Sequence, residues 1–194
     1  MKLKLPLFLL LIFIFLFLGC KNDGNPLNGL WSGFYEDGLG ENIKLSLAFK
    51  DDLCFMFYEA GDNTSVRRNS FTYENGVGNM SVSMHETIQF FVNGNILNFV
   101  RDGIQIVLEK DRVSKPAPLA LNRVWTDIEG WTIIFVHDRA FIHGLSTDYG
   151  NYIFNDRRGS FKTAQYEALV EFELNGKSLD VKVNDYAQTF SRVN

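Results

Sequence analysis

The sequence contains few of the residues that build disulfide frameworks, metal clusters and nucleic-acid interfaces. It has two cysteines and three histidines in 194 residues, which excludes a small disulfide-stapled fold and leaves little for a zinc site. Its formal net charge is −4 and no run of Lys or Arg occurs, so nucleic acid is not an expected partner. Hydrophobic residues make up 46% and aromatic residues 14% of the chain, a composition typical of a globular protein rich in strand-forming side chains.

The apolar residues do not recur with the helical period of 3.6, and they recur instead with a period of two. Apolar and polar residues alternate in several segments, which predicts half-buried strands: 43–49, 88–92, 168–174 and 179–183. Four Asn-Gly or Asp-Gly pairs supply the positive φ that type I′ hairpin turns need: Asn75-Gly76, Asn93-Gly94, Asp102-Gly103 and Asn175-Gly176.

These signals predict an all-β protein of about sixteen short antiparallel strands, with no helix beyond a turn or two. We expect them near 30–35, 42–49, 53–59, 69–74, 77–84, 87–92, 95–100, 103–110, 124–128, 131–137, 140–145, 150–155, 160–166, 168–174, 178–183 and 186–193. The short connections make sequential strands antiparallel neighbours.

The two halves of this pattern are copies of one another. Three pairs of segments match in order along the chain: 27–32 with 121–126, 49–55 with 135–141, and 92–97 with 174–179. Between the copies, Pro116 and Pro118 mark a linker. We therefore predict a first β repeat over 27–112, a linker over 113–120 and a second β repeat over 121–194.

The N-terminal segment carries targeting signals. Lys2 and Lys4 precede an uninterrupted apolar run over 7–18, which is too short to span a bilayer, and Gly19-Cys20 follows. This order resembles the lipobox of bacterial lipoproteins, with Phe17 in the place where the box favours Leu. The resemblance implies a signal peptide over 1–19, removed before Cys20, and a lipidated tether over 20–26.

Lipidation at Cys20 would attach the protein to a membrane of the bacterial envelope through acyl chains such as palmitate. Lys21 directly after the cysteine lacks the Asp that marks inner-membrane retention in some bacteria, so the outer membrane is favoured. Cys54 is then the single thiol of the mature chain, and we expect it to be a small buried hydrophobic residue.

Eight sequential antiparallel strands opening with a tryptophan are similar to the lipocalin-like, or calycin, up-and-down barrels. The similarity rests on Trp31 and Trp125 at matching first-strand positions, and it implies that both rings lie in the core at one barrel end. Each copy is shorter than a typical lipocalin and has little room for a deep pocket. One sheet shared by both copies is the alternative architecture.

The residues that commonly carry chemistry lack partners at useful spacing. His85 begins like a zinc-protease motif, but Gln89 occupies the second ligand position. His137 and His143 would lie about 10 Å apart along a hairpin, too far for one zinc ion. No metal, cofactor or catalytic residue is predicted, and the protein's function is not expected to require its histidines.

Two further patterns concern the outer faces of the strands. Glu171 and Glu173 share a strand face, which is compatible with a glycosidase carboxylate pair but more typical of a solvated surface. Phe91 and Phe99 are expected to point outward, either as a binding surface or packed against the other copy.

These observations together predict a non-catalytic binding module for an apolar small molecule or for an envelope or host protein. The alternative is an envelope hydrolase whose site the sequence does not reveal. An apolar cavity lined by polar groups would favour ligand binding, and converging carboxylates with raised pKa would favour an enzyme.

Overall fold

A computed structural model describes residues 25–61 and 63–193, and this part of the chain contains sixteen strands and no helix. The strands are β1 (Gly29–Glu36), β2 (Asn42–Lys50), β3 (Leu53–Ala60), β4 (Asn63–Glu74), β5 (Val77–Ser81), β6 (Thr87–Asn93), β7 (Ile96–Arg101), β8 (Ile104–Lys110), β9 (Val124–Thr126), β10 (Thr132–Val136), β11 (Arg139–His143), β12 (Thr147–Asn155), β13 (Arg158–Lys162), β14 (Leu169–Asn175), β15 (Ser178–Val183) and β16 (Tyr186–Arg192). A bilayer-spanning helix is therefore not found among the described residues.

The strands form two closed barrels, one from β1–β8 and one from β9–β16. Within each barrel, every strand pairs antiparallel with its neighbours in sequence, and the last strand closes on the first. The closing registers match, since Ser32 pairs with Glu109 in the first barrel and Thr126 with Ser191 in the second. The predicted all-β fold of two tandem antiparallel meanders is confirmed, as two barrels and not one shared sheet.

The hairpin turns follow the predicted chemistry in two cases and shift by one residue in two others. Asn75-Gly76 and Asp102-Gly103 are the central pairs of their turns and all four residues have positive φ, as type I′ requires. Asn93 and Asn175 instead end their strands, so that Gly94 and Gly176 occupy the first central position, again with positive φ. Glycine at that position is typical of type II′ turns.

Each barrel encloses its own core, and the two tryptophans occupy equivalent places in them. The Trp31 ring is fully buried and its Nε1 donates to the Leu27 carbonyl at 2.8 Å, while the buried Trp125 donates to the Leu121 carbonyl at 3.3 Å. Aromatic side chains fill much of the remaining interior: Phe49, Phe90 and Phe99 in the first barrel, and Phe135, Phe161, Phe172 and Phe190 in the second.

A third core joins the barrels through their outer faces. Phe55 on β3 packs against Phe141 on β11 with ring centroids 5.3 Å apart. These residues are equivalent in the repeat, so the contact has the form that a pair of two-fold-related barrels would make. The members of this core are Leu30, Ala48, Leu53, Phe55, Phe57 and Val66 from the first barrel, and Val124, Ile134, Val136, Phe141 and Tyr149 from the second.

A polar group borders this interface. The Glu59 carboxylate lies 2.8 Å from the Lys44 ammonium of its own barrel. From the second barrel, the Arg139 guanidinium lies 3.5 Å from this carboxylate, and the Tyr149 hydroxyl donates to it at 3.2 Å. Burial raises the pKa of Glu59, but the hydrogen bond from Lys44 and the charges of Arg139 and Lys44 outweigh it, so the pKa is lowered. Glu59 therefore links the barrels as an ionised carboxylate.

Cys54 lies in the first core, where its sulfur is 3.6 Å from that of Met80. It is fully buried, and burial raises the pKa of its thiol. A neutral thiol in this setting packs as a small apolar side chain.

Candidate functional site

The outer face of the first barrel carries a row of side chains that cross four adjacent strands. Val77 pairs with Phe91, Phe91 with Asn98, and Asn98 with Val107. Directly paired residues lie on one face of a sheet, so these four side chains form a line on β5–β8 about 14 Å long at the usual strand spacing. We call them the outer row.

The outer row is mostly apolar and open to solvent. Phe91 is 45% exposed, Val107 43% and Val77 37%. Val100, 61% exposed, lies two residues beyond Asn98 on the same face of β7. Phe34 on β1 is 67% exposed, and continuing the β1–β8 register by two residues places it beside Val107. An apolar surface that continues across several strands is typical of a recognition site.

The expected outward position of Phe99 is wrong. Phe99 is buried in the first barrel core and pairs with Phe90, which also points inward. The physical reason is the register of the β6–β7 hairpin, which sets Phe91 opposite Asn98 and so turns Phe99 to the other face. Phe91 stays a candidate binding residue, and Val77, Val100 and Val107 join it.

The two outer surfaces of the first barrel differ in what covers them. The face formed by β2–β4 is buried against the second barrel by residues such as Phe55 and Phe57. This is the packing against the other copy that the sequence left open, and it applies to these side chains and not to Phe91. The outer row lies on β5–β8, whereas the strands of the second barrel pack mainly against β2 and β4 within the described residues.

The equivalent face of the second barrel is charged. A surface concavity of about 650 Å³ lies over β13–β16. Glu171 pairs across strands with Lys182, and the Glu173 carboxylate is 3.1 Å from the Arg158 guanidinium. The two carboxylates considered as a glycosidase pair thus lie on an exposed face opposite cations, a pattern that favours a solvated surface.

The histidines lie in three separate places. His85 is exposed in the β5–β6 loop, His137 begins the β10–β11 turn, and His143 ends β11. The ring of His143 is 2.7 Å from the Thr147 hydroxyl, and burial, followed by the charge of Arg68, lowers its pKa. Among the described residues, no group of three or more His, Cys, Asp or Glu side chains is arranged to hold a metal ion. Cys20 lies outside the described residues.

No family model matches the chain, and no curated protein matches it. Two crystal structures of the DNA polymerase sliding clamp from Pseudomonas aeruginosa, one of them with ligand, align with 87% of this chain at 9% and 8% identity, each with a TM-score of 0.17. This chain spans 57% of each clamp chain. A TM-score at this level supports no argument about fold or function.

Proposed function

We propose that this protein is a lipid-anchored bacterial envelope protein that acts without catalysis by binding a protein partner through the outer row. The observation that carries the proposal is the exposed apolar line Val77–Phe91–Val107 on a barrel whose other outer face is already covered. Exposed apolar surface costs free energy in water unless a partner covers it. The partner would be an envelope or host protein with a complementary apolar face.

The lipid anchor and the calycin-like character of the barrels belong to the same proposal. Cys20 precedes Asn25, the first described residue, by five positions, so a lipid on Cys20 would hold the protein within about 18 Å of a membrane surface. The outer membrane is the favoured location. The calycin resemblance is supported by the up-and-down order of eight strands and by the buried first-strand tryptophan in each barrel.

The other predicted ligand, an apolar small molecule held inside a barrel, has less support. Buried side chains such as Phe90 and Phe172 occupy the interior positions where such a ligand would bind. Recognition at the surface needs no displacement of these rings.

Site-specific photocrosslinking in cells tests the proposal. A photoreactive phenylalanine analogue replaces Asn98 in the middle of the outer row, and the matched control carries the analogue in place of Ile153, which is 74% exposed on the second barrel. We expect a discrete protein adduct from position 98 and not from position 153, and its loss when Phe91→Ser is added. Equal adducts at both positions, or an adduct that survives Phe91→Ser, would contradict the proposal.

A further inference from the structure

A second concave surface lies where the tryptophan ends of the two barrels meet the linker. It is a cleft of about 250 Å³, with walls from β2 and β8 of the first barrel, the β10–β11 turn of the second, and the linker. Phe49 and Phe135 form apolar parts of its lining, and Lys50, Lys110 and His137 form polar parts. This volume accommodates a ligand of a few heavy atoms, since a water molecule occupies about 30 Å³ in the liquid.

Lys50 is a cationic residue in the lining of the cleft, and its side chain is almost buried. Its side chain is 10% exposed, and the Asp51 carboxylate lies 3.8 Å from its ammonium, which is longer than a hydrogen bond. That carboxylate is also near the Asn28 amide, at 3.4 Å. A buried ammonium is costly unless charged or polar partners surround it, and Lys50 therefore favours an additional anionic partner.

Lys110 contributes a second ammonium. Its Nζ donates to the Pro26 carbonyl at 2.6 Å and lies 5.2 Å from the centre of the Trp31 ring. An ammonium has three N–H donors, so one carbonyl leaves two for a ligand. Burial, followed by the charge of Arg112, lowers the pKa of Lys110, which means that its charge is incompletely compensated by its surroundings.

His137 adds a hydrogen-bond acceptor. Its Nδ1 is 2.9 Å from the Ser114 carbonyl of the linker. Because a carbonyl only accepts, Nδ1 carries the proton and the Nε2 of the neutral ring is the acceptor. A Cβ added to Gly29 would lie 3.5 Å from this Nε2 and 3.3 Å from the Lys110 Cε, so the side chains of His137 and Lys110 border the same glycine at the cleft.

The remaining charged group in the lining is already engaged. The Asp111 Oδ1 accepts from the backbone N–H groups of Val113 and Ser114 at 2.9 Å and 3.0 Å. Burial raises the pKa of Asp111, but the hydrogen bonds from Ser114 and Val113 outweigh it and lower the pKa. This carboxylate therefore serves to shape the linker wall.

We propose that the cleft is a binding site for a phosphate group, in which Lys50 and Lys110 donate to the phosphate oxygens and His137 Nε2 accepts from a protonated one. The apolar walls lower the local dielectric and strengthen these interactions. The phosphate can be free in solution, or it can be a phospholipid headgroup, and only the headgroup source rests on the proposed membrane anchoring.

Calorimetric titration of the full-length protein in a mild non-ionic detergent tests the site. Inorganic phosphate is added at constant ionic strength, so that general screening is held fixed. We expect saturable binding that weakens about tenfold or more in Lys50→Gln and in Lys110→Gln, since each variant removes a charged hydrogen bond. Lys182→Gln, which removes an exposed lysine on the second barrel, should bind as the wild type does.

A spectroscopic readout makes the test independent of heat signals. With Trp125 and Trp131 replaced by Phe, fluorescence reports on Trp31 beside Lys110, and phosphate should shift its emission in the background protein but not in Lys110→Gln. If Lys50→Gln does not fold, Lys50→Arg keeps the charge and should retain binding. Absence of saturable binding, or unchanged affinity in both Gln variants, would overturn the proposal.

A final comparison identifies the source of the phosphate. Short-chain phosphatidylglycerol binding more tightly than inorganic phosphate indicates a headgroup site, and weaker binding indicates a site for free phosphate; both outcomes keep the proposal. Because the cleft shares no residue with the outer row, crosslinking at position 98 and phosphate binding succeed or fail separately.

Discussion

Replacement of Phe141 by alanine measures how strongly the two barrels hold each other. Phe141 is fully buried in the core between the barrels, with its ring 5.3 Å from Phe55, 5.4 Å from Phe57 and 5.9 Å from Tyr149. Truncation of a buried Phe to Ala costs about 3–5 kcal/mol, and the lost ring contacts place Phe141→Ala in the upper half of that range. This is a large fraction of the stability of an ordinary domain.

Urea denaturation of the full-length protein, followed by tryptophan fluorescence and circular dichroism, provides the assay. With a slope of about 2 kcal/mol per molar urea, the loss corresponds to a midpoint lowered by roughly 2 M. The weakened interface should also split one transition into two. The matched control is Phe91→Ala, an exposed position where the change should stay within about 0.5 kcal/mol. If Phe141→Ala melts within 1 kcal/mol of the wild type in a single transition, the reasoning about barrel docking is refuted.

Three other predictions follow from particular contacts. Trp31→Ala and Trp125→Ala should each unfold their own barrel first, with a loss of about 3–5 kcal/mol in the free energy of unfolding. Unchanged melting curves for both variants would contradict the placement of these tryptophans in the barrel cores. The pKa of Glu59 is lowered in the folded protein, so its contribution to stability is present above pH 4.5 and is lost as the pH falls through the folded-state pKa. Thermal melts across pH 2–6 should therefore show a smaller loss of stability on acidification in Glu59→Gln than in Glu171→Gln. Cys20→Ser should leave unprocessed precursor and abolish incorporation of labelled palmitate, and normal labelling of that variant would contradict the lipoprotein prediction.

The sequence contained enough information for the strand pattern because the relevant signals are local. The period of two along 43–49 and 168–174 reflects the pleat of a single strand, and Asn75-Gly76 meets the positive-φ demand of a single turn. The repeat was visible for the same reason, since equivalent positions need equivalent residues. The backbone conformation repeats even where the residue type differs, since Asp51 and His137 have φ of 55° and 54° at the start of matching hairpin turns.

The orientation of Phe99 depended on a register that local signals do not specify. The β6–β7 turn has two residues, which pairs Phe91 with Asn98 and puts these two side chains on the same face. Phe99, one residue further along β7, must then point to the opposite face. A loop of three residues would have placed them together. The Asn-Gly pair marked the turn but not its length, and one residue of difference reverses every side chain of the following strand.

Residue type and spacing alone therefore determined that this chain forms two antiparallel β meanders with a buried tryptophan at the start of each. The tertiary structure decided that each meander closes on itself, that Phe55 and Phe141 face each other while Phe91 stays exposed, and that Lys50, Lys110 and His137 line one cleft. The reason is that strand signals act between neighbours in the chain, whereas closure, docking and the cleft depend on contacts between residues far apart in sequence, such as Pro26 and Lys110.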